Sequence, residues 1–101
     1  MPEPDDDALL RAKLNLETAR IGWKALEHLF AAGSVLVVRP GDDLVEVATQ
    51  MARDNREAVA GWLADGTLAQ VGDAQALAWH QAEAELWAVV VKPFVLVQQS
   101  A

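Results

Sequence analysis

Apolar positions recur at helical spacing from Ala8 onward. Ala12, Leu16, Ala19, Trp23, Leu26 and Phe30 follow one another at intervals of four and three, which places them along one helical face. Leu10, Leu14 and Ile21 fall beside that stripe and widen it. Gly22 interrupts the run, and a glycine inside a helix costs about 1 kcal/mol relative to alanine. The pattern therefore predicts one helix over 8–20 and a second over 23–32, with Gly33 as the left-handed stop.

Val35 to Val38 is a continuous apolar run ended by Arg39-Pro40-Gly41, a buried strand leading into a turn. Asp43 with Glu46 has the spacing of a capping box, and Leu44, Val47, Ala48 and Met51 form the inward face of a helix to about Arg53. Asp54 with Glu57 repeats that spacing and opens a helix with Val59, Trp62 and Leu63 on its apolar face, ended by Gly66 after Asp65. Thr67 to Val71 is a weak strand. Asp73 then caps a helix to about Ala82, with Ala76, Leu77 and His80 facing inward.

The strongest β signal is WAVVVKPFVLVQ, Trp87 to Gln98. Lys92-Pro93 interrupts it, and proline cannot donate a ladder hydrogen bond, so the segment must kink, lie at an edge or make a cis-proline turn. Two strand pieces about a kink fit best, because neither residue suits a tight primed turn. The elements add up to an α+β fold: a small, mostly antiparallel sheet of about three to four strands, packed with about five helices on at least one face. Residues 1–7, with two prolines and the run Asp5 to Asp7, read as an acidic tail, and residues 8–101 as a single domain.

Composition narrows the chemistry. With 101 residues, 52% of them hydrophobic, the chain has material for one packed core. It has no cysteine, which excludes disulfides, thiolate catalysis and cysteine zinc sites. A domain of this size without staples holds itself by packing alone or against another copy. The acidic N-terminus lacks the apolar core of a signal peptide, and the longest apolar run, Leu86 to Val91, falls far short of the ~20 residues that span a bilayer. A cytoplasmic location and no membrane partner are expected.

Eight Lys and Arg stand against fifteen Asp and Glu, a formal charge of −7. That excess opposes nucleic acid, whose phosphates call for a basic stripe, and anionic membrane surfaces. The helix pair from Asp43 to Asp65 has the outline of a winged helix-turn-helix, but its second helix offers only Asn55 and Arg56 to base edges beside Glu57 and Asp65. A plain helical hairpin is the better reading.

Reactive constellations are missing from the sequence pattern. His28 and His80 are the only histidines and neither sits in an H-E-x-x-H spacing. Ser34 and Ser100 are the only serines and neither lies in G-x-S-x-G. The carboxylate pairs Asp42-Asp43 and Glu83 with Glu85 are accounted for by caps and surface positions. No catalytic residue, metal ligand or cofactor is predicted.

The four tryptophans carry more information. Each can bury about 150–250 Å², worth on the order of 4–6 kcal/mol at most, against a total stability of ~5–15 kcal/mol. Trp23 and Trp62 lie on apolar helical stripes and belong to the core. Trp79 and Trp87, together with His80 and Phe94, stay open between core packing and a pocket or interaction surface.

The segments LNLETARIGW at Leu14 to Trp23, DLVEVA at Asp43 to Ala48, Trp62 to Gly66, and the terminal WAVVVKPFVLVQ resemble a family of small bacterial proteins known as domain of unknown function 2288. The resemblance covers roughly residues 10–98. In that family proline often stands where this chain has Gly22, and tryptophan where it has Phe94. It implies the extent of the domain and no activity, cofactor or catalytic residue.

Two functions from different classes follow. The first is a non-enzymatic interaction module, homodimeric or bound to a protein partner, using the apolar terminal strand as an edge. The second is a small-molecule sensor or minor enzyme with a pocket near Trp79, His80 and Trp87.

Overall fold

The computed structural model describes residues 6–99. Its elements are α1 (Asp6–Glu17), β1 (Ala19–Gly22), α2 (Trp23–Ala31), β2 (Val35–Val38), α3 (Leu44–Ala52), α4 (Arg56–Asp65), β3 (Leu68–Gln70), α5 (Asp73–Ala82), β4 (Glu85–Val91) and β5 (Phe94–Gln98). The strands form a five-stranded sheet in the order β1-β4-β5-β2-β3. The β2–β5 pair is parallel and the other three pairs are antiparallel.

Helices cover both faces. On one, Leu14 of α1 and Leu44, Val47 and Ala48 of α3 pack over Leu36, Val38, Leu68, Val89, Val91 and Leu96, with Val59 and Trp62 of α4 at the margin. On the other, Trp23 and Leu26 of α2 and Ala76 and Trp79 of α5 pack over Val35, Leu86, Val95 and Val97. The period of two along each strand divides these sets. In β5, Leu96 faces the first layer while Val95 and Val97 face the second, which explains its unbroken apolar run.

Three expectations change here. The terminal strand β5 is not an edge: it lies between β4 and β2, and its two-faced burial is what its composition reflects. The interruption at Lys92-Pro93 is not a kink either. Its peptide bond is cis, and Val91 pairs with Phe94 across an antiparallel hairpin, since cis-proline at the third position makes a tight reversal of its own. The fifth strand, β1, occupies residues assigned above to the end of the first helix. That helix stops at Glu17, and Ala19 to Gly22 pair with Ala88 to Glu85.

The early stop also reassigns the buried side of α1. Leu14 is 4% exposed and Leu16 is 85% exposed, so the margin of the predicted stripe is the real inner face. Ion pairs hold that orientation: Arg11 meets both Asp7 and Glu46, and Arg53 meets Asp7 at 3.1 Å, which ties α1 to α3 and its end.

Caps follow the expectations in part. The Asp43 carboxylate accepts the Glu46 amide at 3.1 Å, while the Glu46 side chain turns to Gln50 and Arg11 and leaves the box half made. Asn55, not Asp54, caps α4, accepting the Ala58 amide at 3.2 Å. The cap of α5 is Gly72 without a side-chain bond, and Asp73 is the first residue inside. Gly33 takes the predicted positive φ, and Gly66, which ends α4, does so as well. Of the expected tail, Asp6 and Asp7 form the first turn of α1, and residues 1–5 lie outside the described residues.

Candidate functional site

Trp79 and Trp87 point to opposite sides of the sheet. Trp79 is buried on α5 with its ring set edge-on to Trp23, centroids 5.0 Å apart. Trp87 stands on β4 between Leu86 and Ala88, both of which face the Trp79 layer, so alternation turns it to the α1/α3 side. There it is 39% exposed, with the Arg20 guanidinium 5.6 Å from its ring centroid. It borders a shallow hollow with Asn15, Thr18, Leu44 and Gln98. His80, next to Trp79 on α5, is exposed, and its Nδ1 lies 3.1 Å from the Glu27 carboxylate. The structure therefore does not bring Trp79, His80 and Trp87 around one cavity.

Phe94 belongs to a different place. It lies between α4 and the β4–β5 turn, where a hollow of about 360 Å³ is walled by Met51, Val59, Leu63, Val91, Pro93 and Phe94, with Asp54, Asn55, Arg56 and Lys92 at the rim. The Asn55 cap fixes the α4 side, and its amide nitrogen donates to Gln50 Oε1 at 2.9 Å. Sheet pairing fixes the hairpin side. Asp54 and Arg56 pair weakly at 3.5 Å.

Six of the eight Lys and Arg take part in ion pairs, and the two that do not among the described residues are Lys13 and Lys92. Both border a second hollow, between α1 and the end of β4, with Leu10, Leu14, Glu17 and Val90. Val90 is 55% exposed, and its place between Val89 and Val91, which face α1 and α3, turns its side chain to the opposite side of the sheet. β1 pairs only with residues 85–88 of β4, so the stretch carrying Val90 runs on past its neighbour.

The outer side of α1 is a separate apolar surface. Leu9, Ala12 and Leu16, spaced three and four apart, share one helical face and all are exposed. The sequence reading named Ala12 and Leu16 of this stripe but not Leu9, and spacing alone cannot say whether a stripe points to the core of its own chain or outward. Lys92 had no signal of its own beyond its place in the interrupted β run.

Among the described residues no group of three or more His, Cys, Asp or Glu could hold a metal ion, and no helix is long and apolar enough to cross a membrane. The model of the family described as Protein of unknown function (DUF2288) matches residues 9–99. The solution NMR structure of PA1075 from Pseudomonas aeruginosa is similar over 100% of this chain and 94% of that one, with a TM-score of 0.80 and 44% identity. No curated protein matches the chain.

Proposed function

We propose, from the premise that the chain belongs to the DUF2288 family of proteins of unknown function, that it is a non-enzymatic interaction domain which pairs with a second copy of itself in the bacterial cytoplasm. Residues 8–101 act in it as one domain. The observation that carries it is the outward stripe of α1, where Leu16 is 85% and Leu9 58% exposed.

Burying a leucine fully is worth about 1.5–3 kcal/mol, and a two-fold interface uses each such residue twice. That gain must exceed the ~4–15 kcal/mol that association costs in lost freedom, so Leu9 and Leu16 of both copies would have to act together. Charge favours the same surface. Copies carrying −7 each repel one another, and Lys13, which has no ion-pair partner among the described residues, lies on α1 itself.

Light scattering on the size-exclusion eluate over a concentration series tests the reading. A dimer is expected, and Leu16→Asp should return it to monomer without changing the far-ultraviolet circular dichroism. A wild-type chain that stays monomeric up to its solubility limit contradicts self-association.

A further inference from the structure

We infer that the hollow between α4 and the β4–β5 turn is a binding site for a small monoanion with an apolar body, of the class of medium-chain carboxylates. Its volume of about 360 Å³ falls within the roughly 300–1,000 Å³ of small-molecule sites, which are mostly apolar with a few placed polar groups. Val59 and Leu63 from α4 face Val91, Pro93 and Phe94 from the hairpin. Leu63 is half exposed, so an apolar chain laid in the hollow would remove it from water.

The rim sets the sign and number of charges. Asp54 and Arg56 pair with each other at 3.5 Å, which leaves the Lys92 ammonium as the uncompensated charge. In a chain of net −7, a free cation at the mouth of an apolar hollow matches one carboxylate. A cationic ligand would meet Lys92 unfavourably, and a dianion would exceed the charge available. The walls are preformed, since the Asn55 cap anchors one side and strand pairing the other, so binding requires little ordering of the site itself.

Octanoate and octanol, titrated into the full chain and followed by amide chemical shifts, test the inference. Octanoate should shift Val59, Leu63 and Phe94 saturably and bind about fivefold more tightly than octanol, the size of preference that one solvent-exposed charge pair supplies. Lys92→Met, which keeps the apolar stem, should erase that preference and leave octanol binding unchanged. Leu63→Asp should abolish binding of both, while the rest of the amide spectrum reports an intact fold. Absence of saturable octanoate binding, shifts centred elsewhere, equal affinity for the two probes, or a preference that survives Lys92→Met each overturns it. A hollow already filled by a second copy would appear as octanoate binding that weakens as protein concentration rises, and that outcome also overturns it.

Discussion

Trp23 and Trp79 meet with their rings at 63° and their centroids 5.0 Å apart, and this contact joins α2 to α5 over the second face of the sheet. Phe30 extends it, with its centroid 5.6 Å from that of Trp23. Edge-to-face geometry sets the positive rim of one ring against the negative face of the other. Both indole N–H groups are buried, with no hydrogen-bond acceptor among the described residues, so this contact is one of ring and apolar packing.

The two tryptophans that sequence left open should therefore separate by stability. Trp79→Ala removes a ring that is 3% exposed and should cost about 3–5 kcal/mol, a large share of a total of ~5–15 kcal/mol. Trp87→Ala removes one that is 39% exposed and should cost about 1 kcal/mol. Urea denaturation followed by circular dichroism measures both, and equal losses would contradict the placement of Trp79 in the core.

A second pair separates the two sides of α1. Leu14→Ala should cost about 2–5 kcal/mol, because it leaves a cavity against the sheet. Leu16→Ala should change stability by no more than about 0.5 kcal/mol at a dilution where the chain is monomeric. The reverse order of midpoints would restore the sequence reading, in which Leu16 lies on the buried stripe.

That pair shows what was legible in the sequence. The spacing of apolar residues found a helix at the right place and chose the wrong face, because it ran one helical period through Ala19 to Phe30. The chain leaves the helix after Glu17 because residues 19–22 pair with residues 85–88, a partner far away in sequence that no local window contains. β2, β3 and the two terminal strand pieces were legible from their apolar and β-branched runs. The central position of β5 and the five-strand count were not, since strand order is decided by pairing between distant segments. Of the candidate site, Phe94 was singled out, whereas its neighbours Met51, Val59 and Leu63 read as ordinary core positions. Lys92 gains its meaning only when the hairpin sets it at the mouth of the hollow.

Helix caps give a third comparison. Asp43→Ala and Asn55→Ala each remove an oxygen that accepts a backbone amide, at 3.1 and 3.2 Å, and each should cost about 1 kcal/mol. Asp73→Ala removes no cap bond and should stay within about 0.5 kcal/mol. Thermal denaturation of the three variants checks the order. A loss at Asp73 matching that at Asn55 would return α5 to the acid-capped start that the spacing predicts.

Acid sensitivity supplies the last comparison, through Asp65 at the end of α4. Hydrogen bonds from Thr67, its side chain first and its backbone amide second, hold the Asp65 carboxyl below its ordinary value of 3.8, and the positive charge of Arg39 adds to this. The amide bond is 2.9 Å long, and Arg39 in turn donates to the Thr67 hydroxyl at 3.3 Å. A carboxyl lowered on folding stabilises the folded state at every pH above its unfolded value, and that contribution disappears as pH falls through the lowered folded value. Asp65→Asn keeps an acceptor oxygen for Thr67 and loses the charge. Its urea midpoint should lie below that of the wild type near neutrality, and the gap should close as pH drops below 3.8. Taking the difference between the two chains cancels the titration of the other carboxylates. A gap that keeps its size in acid, or that widens there, would show that Thr67 does not favour the ionised form of Asp65.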